Sequence, residues 1–372
     1  MSTTNISGKA IIAHGSGVYS LENIDVFPPQ HDEVLVQIKA SGICHTDYDS
    51  VNHWPAPFIV GHEGAGIVIE TGAAVQHLQK GDHVILNWAI PCGECFQCKN
   101  GQTNICERNS PVIHHGKYNS GHAPLERTLF QNKGILRSFN LGTMSTHTVV
   151  KEAATIKINP DVPFASACIV GCGVMTGVGS VWNTAKVKEG SSVAVLGTGG
   201  VGLNIIQGAK IAKAGKIIAI DISEKRLQLA AQFGATHLIK VSSSDPKLKV
   251  AKEEIWKITG RGADYAFECT GIPQLGDAPL RLIRNAGMAV QVSGIEQEIN
   301  IDMNLFEWDK IYLNPLYGKS NPANDFPRII RHYKAKELML DELISKIYNP
   351  EELSIAFDDM LNGRIAKGVI QF

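Results

Sequence analysis

The chain has 372 residues with 35 Lys+Arg against 36 Asp+Glu, 44% hydrophobic and 19% charged residues, and eight cysteines. That length allows two domains with separate cores, and a net charge of −1 weighs against nucleic acid or an anionic membrane as partner. No run approaches eighteen apolar residues without charges, and the first thirty residues lack a basic segment followed by an apolar one. Neither a membrane span nor a secretion signal is expected, and the expected compartment is the cytoplasm.

In chain order, VLVQIKA at 34–40 alternates like a half-buried strand, and SGICHTD then presents Cys44, His45, Thr46 and Asp47 in a turn. IVGHEGAGIVIE at 59–70 sets His62 and Glu63 between two apolar runs, with Gly61, Gly64 and Gly66 permitting close backbone approach. PCGECFQCKNGQTNIC at 91–106 carries Cys92, Cys95, Cys98 and Cys106. Cysteines of an unsecreted chain are expected as thiols or metal ligands rather than disulfides. Four thiolates close a tetrahedron around zinc and leave no position for substrate. This segment is therefore expected to be a structural clamp that adds folding free energy to a loop with little core. In the insert at 107–140, His114, His115 and His122 are expected in a solvated loop rather than at a third metal site.

CIVGCGVMTG places Cys172 between two glycines. Taken singly, a cysteine is more often a small buried hydrophobe and a histidine a satisfied polar group. Together, Cys44, His62 and Cys172 make a Cys2His set with a fourth position open to water or substrate.

Residues 191–222, SSVAVLGTGGVGLNIIQGAKIAKAGKIIAIDI, read as strand, G-x-G-x-x-G, helix, strand and acid. Gly197 makes the turn, Gly199 lets the backbone approach a pyrophosphate, and Gly202 lets helix and strand pack closely. Gly200 and Val201 open the helix whose N-terminus faces the phosphates. Asp221 can accept from the adenine ribose hydroxyls and repels a 2′-phosphate, which predicts NAD over NADP; Arg226 nearby could partly accommodate that phosphate. Strands THLIKV, ADYAFECTG and GMAVQVSG follow, giving a six-stranded doubly wound sheet over 176–315. After it, ELMLDELI and EELSIAFDDMLNGR look helical and GVIQF closes as a strand; this tail is too short for a domain and is expected to rejoin 1–175.

In this joint order GICHTD, GHEGAG, CGECFQCKNGQTNIC, GCGVMTG, GTGGVG and the acid of AIDI resemble the zinc-dependent medium-chain alcohol dehydrogenases, of the class III-like or aryl-alcohol branch, over essentially the whole chain. Because a Cys2His catalytic zinc is a mark of that family, the ligand reading is not independent of the resemblance. The resemblance implies an α/β chain: a GroES-like, mainly-β catalytic domain at 1–175 with 316–372, and a Rossmann domain at 176–315. It implies two zincs per chain, NAD, a small-molecule alcohol or aldehyde substrate, and a homo-oligomer, dimer or tetramer.

Residue by residue, Cys44, His62 and Cys172 resemble the catalytic zinc ligands, Glu63 the acid that approaches zinc during ligand exchange, and Asp47 the carboxylate orienting the histidine. Thr46 resembles the hydroxyl that takes the substrate proton towards the nicotinamide ribose while hydride passes to NAD. Thr176 resembles a residue beside the nicotinamide, and Lys367 stands where many relatives carry an arginine near the pyrophosphate. Asp49 replaces a relay histidine, so protons are expected to leave through Asp49, through His45 or directly to water. PLYGKS at 315–320 replaces a more glycine-rich cofactor loop.

Trp54 and Trp88 fall where the family lines its pocket, and Leu141 and Ile295 would extend an apolar throat, although plain core packing is the competing reading. Primary alcohols and aldehydes, aliphatic or benzylic, are expected. A thiol-adduct formaldehyde dehydrogenase is the alternative, weakened because the loop after Cys106 offers no obvious arginine suited to a thiol-conjugate carboxylate. A non-catalytic NAD sensor and a zinc-free quinone reductase both predict loss of the open zinc site, yet Cys44, His62, Glu63 and Cys172 are all present.

Overall fold

Strands Ile6–Gly15 and Val18–Val26 pair as an antiparallel hairpin within a six-stranded mixed sheet. The computed structural model describes residues 5–110, 112, 127–245 and 247–372, so His114, His115 and His122 lie outside the described residues. The chain divides into two units. The first is Met1–Cys172 with Asn321–Arg331 and Leu340–Phe372; the second is Gly173–Ser320 with His332–Met339. The sequence expectation put the changes of domain at 175 and 316 and kept the whole tail in the first.

In the first unit the strand Glu33–Gly42 is central. It pairs antiparallel with Glu63–Thr71, His147–Lys151 and the C-terminal strand Lys367–Gln371. Half-burial was expected here, but Val34, Leu35 and Val36 are each 0% exposed. Leu35 joins Ala10, Ile12, Ile24 and Val149 on one face, and Val34 and Val36 are buried on the opposite face. Each such side chain contributes about 1.5–3 kcal/mol relative to exposure, so the strand is anchored from both sides. It delivers Cys44 just past its end. Its last residue, Gly42, lies opposite Glu63 on one neighbour and Val369 on the other.

The second unit is an all-parallel sheet in the order His237–Lys240, Lys216–Asp221, Ser192–Leu196, Ala263–Glu268, Ile283–Gln291, Ile311–Leu313. Strands one to six in chain order thus stand 3-2-1-4-5-6, a doubly wound arrangement. The helix Gly200–Ile211 crosses from the first strand to the second, and Glu224–Phe233 from the second to the third. Ser223 caps the latter by accepting from Arg226 N at 3.4 Å, and Gly234 ends it at φ 118°.

The tail differs from expectation at one place. ELMLDELI is not a helix; a short 3-10 turn at Asp341–Leu343 leads into the strand Ile344–Tyr348. Its buried leucines are Leu338, Leu340 and Leu343, and the first two are spaced by two, as in extended chain. Leu353–Leu361 is helical, and Pro322–Lys334 is a further helix. Among the described residues no single helix is long and apolar enough to cross a membrane.

Candidate functional site

The first unit holds two groups of metal-ligating side chains among the described residues: Cys92, Cys95, Cys98 and Cys106, and Cys44, His62, Glu63 and Cys172. Within each group the ligand atoms all lie within 4.8 Å of one another. A zinc tetrahedron with Zn–S bonds near 2.3 Å has edges of about 3.8 Å, and Cys95 Sγ stands 4.0 Å from Cys106 Sγ.

The four-cysteine group is made by its own backbone. Cys95 caps the short helix Phe96–Lys99 and its Sγ accepts from Cys98 N at 3.5 Å. Cys92 Sγ accepts from Glu94 N at 3.4 Å and Cys95 N at 3.3 Å, and Cys106 Sγ accepts from Asn109 N at 3.4 Å. Burial opposes ionisation of Cys95, yet the N–H groups of Cys98 and Glu107 outweigh it and bring the thiol down to about 6. Such a set fits a metal that takes thiolates. Arg108, two residues beyond Cys106, is exposed and ion-paired to Glu94 at 2.6 Å.

The second group is assembled by the sheet. Cys44 precedes the helix His45–His53, and its N–H donates to Asp47 Oδ2 at 3.0 Å. The other carboxylate oxygen of Asp47, itself 0% exposed, accepts from His62 Nδ1 at 2.8 Å. That bond fixes the tautomer and leaves Nε2 as the lone-pair nitrogen. His62 Nε2 is buried without a hydrogen-bond partner, beside the two thiols. A buried, unsatisfied imidazole nitrogen is costly unless something binds it, and with two sulfurs at hand the residues fit zinc. A hydrogen bond from Cys172 and the neighbouring His62 hold the Cys44 thiol well below its usual range. Cys172 follows the turn Ile169–Gly171.

Glu63 fits because Gly42 opposite has no side chain; a Cβ there would come within 2.0 Å of Glu63 Oε2. Burial pushes the Glu63 carboxyl up to about 7 against the pull of Lys367. Lys367 Nζ donates to Glu63 Oε1 at 2.6 Å and to Ile43 O at 2.9 Å. Pairing of the strand Lys367–Gln371 with Glu33–Gly42 brings Lys367 beside Glu63. Thr46 is half-buried on the first turn of the helix, while His45 and Asp49 are exposed on it.

One residue escaped the sequence reading. Phe139 has left-handed backbone, φ 51° and ψ 29°, followed by Asn140 at φ 60°. Its ring centroid lies 4.7 Å from that of His62, 5.4 Å from Trp54 and 5.3 Å from Trp88. The two tryptophans expected at the pocket therefore meet through Phe139. A bulky residue at positive φ needs outside support. Leu141 O accepts from Thr148 Oγ1 at 2.5 Å, and Arg137, 5% exposed, donates to Thr148 Oγ1 at 3.1 Å and to Val149 O. Leu141 itself is fully buried.

In the second unit Gly197 has φ 86°, and its N–H donates to Ile220 O at 2.9 Å. A Cβ on Gly202 would lie 2.0 Å from Gly197 O, whereas one on Gly199 would meet nothing within 4 Å. Gly202 thus serves packing, and Gly199 faces open space where a pyrophosphate can approach the backbone. Gly200 and Val201 begin the helix behind it. Asp221 Oδ2 accepts from Thr198 N at 2.8 Å and Thr198 Oγ1 at 3.0 Å, and its Oδ1 from Ser223 N at 2.9 Å. Arg226 stands 3.9 Å from Oδ1. Loop and acid are one hydrogen-bonded piece that fits a dinucleotide. Thr176 lies on the helix Gly173–Gly179, closely packed on Gly200–Ile211. Ile295 is half-buried and sits by Gly276, and Tyr317–Lys319 makes a tight left-handed turn packed on Gly179 and Ser180.

A parallel dinucleotide sheet and a β-rich unit with one closed and one open metal set define a zinc-dependent oxidoreductase. Residues 30–161 match the alcohol dehydrogenase GroES-like domain and residues 200–334 the zinc-binding dehydrogenase domain. An S-(hydroxymethyl)glutathione dehydrogenase of Synechocystis is 35% identical, over 94% of this chain and 95% of its own. Benzyl alcohol dehydrogenase of Acinetobacter calcoaceticus superposes with a TM-score of 0.87 at 30% identity, covering 99% of each chain. An alcohol dehydrogenase zinc-binding domain protein of Burkholderia ambifaria superposes with a TM-score of 0.90 at 29% identity, again over 99% of each. The chain belongs to the zinc-dependent medium-chain alcohol dehydrogenase family, and its cofactors are zinc and a nicotinamide dinucleotide.

Proposed function

We propose that this enzyme interconverts primary alcohols and aldehydes with NAD(H), favouring benzylic and other flat substrates over small aliphatic ones. The observation that carries this reading is the Phe139 ring on His62 between Trp54 and Trp88. Aromatic faces near the ligands favour offset or edge contacts with a planar substrate, worth about 0.5–1.5 kcal/mol per pair beyond area burial. Rigid indoles also crowd a carbon carrying two branches.

Cys44, His62 and Cys172 would hold the zinc, which would supply Lewis-acid polarisation of an alcohol hydroxyl. Around it Asp47 fixes the His62 ring, and Lys367 holds the Glu63 carboxylate at 2.6 Å. The Thr46 hydroxyl takes the alcohol proton and passes its own on. Asp49 and His45, exposed and one helical turn apart, lead that proton towards water. Phe139, Trp54 and Trp88 exclude water from the reacting carbon.

Asp221 disfavours a 2′-phosphate by charge, and Arg226 at 3.9 Å offsets only part of that charge, which supports NAD over NADP. The edge strand Ile311–Leu313, with Trp308 68% and Met303 73% exposed beside it, supports pairing with a second copy. Cys168 and Cys269, outside both ligand sets, are free thiols, which supports a reducing compartment such as the cytoplasm. The thiol-adduct alternative has the Synechocystis relative in its favour, but Arg108 is tied to Glu94.

The test is kcat/KM for benzyl alcohol, 1-hexanol, a secondary alcohol and S-(hydroxymethyl)glutathione, each with NAD and NADP. Benzyl alcohol with NAD should rank first. A higher value for the thiol adduct, or for NADP, would overturn the corresponding part of this reading.

A further inference from the structure

The parallel sheet reverses its strand order between Ser192–Leu196 and Ala263–Glu268. Doubly wound sheets take ligands in the crevice at that reversal, beyond the carboxyl ends of the strands. A buried acid stands at this point. Glu268 ends its strand opposite Leu196 and is 0% exposed.

Its carboxylate collects donors from two turns. Oε1 accepts from Thr270 N at 2.6 Å and from the Thr270 hydroxyl. Oε2 accepts from Gln291 Nε2 at 2.6 Å, Ser293 Oγ at 2.6 Å and Gly271 N at 3.4 Å. Behind Gln291, the Tyr312 hydroxyl donates to Gly276 O at 2.7 Å and stands 3.2 Å from Gln291 Oε1. Backbone bonds complete the frame: Cys269 N donates to Leu196 O at 2.8 Å and Val292 N to Glu268 O at 2.9 Å. The tied turn lies directly against the glycine loop, because a Cβ on Gly197 would come within 2.7 Å of Thr270 Cγ2. An ionised carboxylate accepts at about four lone-pair sites. Those of Glu268 are spent on the protein, so it acts through the turns and not on a ligand directly.

Asp221 ends the neighbouring strand on the other side of Ser192–Leu196 and is placed for the adenosine half. The two mononucleotide-binding halves of such a sheet then give the second half of the dinucleotide to the Glu268 side. We propose that Glu268 is a positioning residue for the nicotinamide half. It locks the turns 269–271 and 291–293 that floor the crevice. The proposal rests on the assignment of a dinucleotide to this sheet.

The test compares Kd of NADH, by fluorescence, with Kd of ADP-ribose, by calorimetry, in the zinc-loaded enzyme and in Glu268→Gln. The variant keeps the shape but turns an amide N–H towards donors, leaving them unpaired. NADH should weaken by about 10-fold or more and ADP-ribose by less than about 2-fold, and KM for NAD should rise more than kcat falls. An unchanged NADH Kd, or an equal loss of both ligands, would overturn the proposal, since a merely structural role moves both together. Ser293→Ala removes one donor and should weaken NADH by about 3-fold while sparing ADP-ribose. If Glu268→Gln does not fold, an unchanged NADH Kd in Ser293→Ala overturns the proposal alone. Failure of the unmodified enzyme to bind either ligand would instead remove the dinucleotide assignment beneath it.

Discussion

Cys92, Cys95, Cys98 and Cys106 come from one segment whose own N–H groups point at the sulfurs. Cys44, His62 and Cys172 come from the end of a central strand, the start of its neighbour and a distant turn. The first set has the exposed pair Glu94–Arg108 beside it; in the second, His62 is packed by Phe139 and propped by Asp47. The difference teaches where each set gets its order. The loop has little apolar packing and depends on its metal. The open set is placed by a sheet that is buried whether or not a metal binds. A site meant to exchange ligands is thereby separated from the free energy that keeps the chain folded.

The sharpest way to break this comparison is to remove one ligand from each set. Cys44→Ser should lower kcat by about 10³-fold or more while Tm moves less than about 3 °C and NADH still binds. Cys95→Ser should lose one zinc and lower Tm by more than about 5 °C, or fail to fold. Metal analysis with thermal melting decides, and a folded, active Cys95→Ser would invert the division of roles. Next in size, Thr46→Val should cost about 10²-fold in kcat/KM and Asp49→Asn under about 10-fold. Profiles against pH with one primary alcohol check this, and equal losses would make Asp49 an obligatory relay.

Phe139→Ala should reduce the ratio of kcat/KM for benzyl alcohol to that for ethanol by about 10-fold, with two zincs retained. A constant ratio would show that the ring only fills space. Smallest of all, Arg108→Ala removes an exposed pair at the closed set and should shift Tm by less than about 3 °C. A larger shift would mean that the loop takes its order from surface charge as well as from metal.

The same contrast governs what could be read without the fold. The cysteine loop was legible because its ligands are neighbours in sequence, and the dinucleotide loop because strand, glycines, helix and acid follow in line. Phe139 left almost no trace, since nothing local favours a phenylalanine at φ 51°; only Asn140, tolerant of such backbone, marks the spot. The contact of Lys367 with Glu63 left no mark either, because that partner is set by strand pairing across the chain. Glu268 looked like any acid at a strand end until two turns closed on it. ELMLDELI had helical composition, but burial of Leu338 and Leu340 drew it out.

The pairing of Lys367–Gln371 with Glu33–Gly42 also sets an order of events during synthesis. Cys44, His62 and Cys172 leave the ribosome early, yet the ammonium that holds Glu63 arrives only with the final strand. Until residue 371 has emerged, residues 40–42 of the central strand lack their partner on one edge, and Glu63 is buried beside the ligands without its counter-charge. Nascent chains halted short of that strand would carry a complete ligand set next to an unrestrained carboxylate. Metal captured by such a chain would meet a different donor environment from metal captured after release, so the timing of zinc loading becomes a property of the last strand.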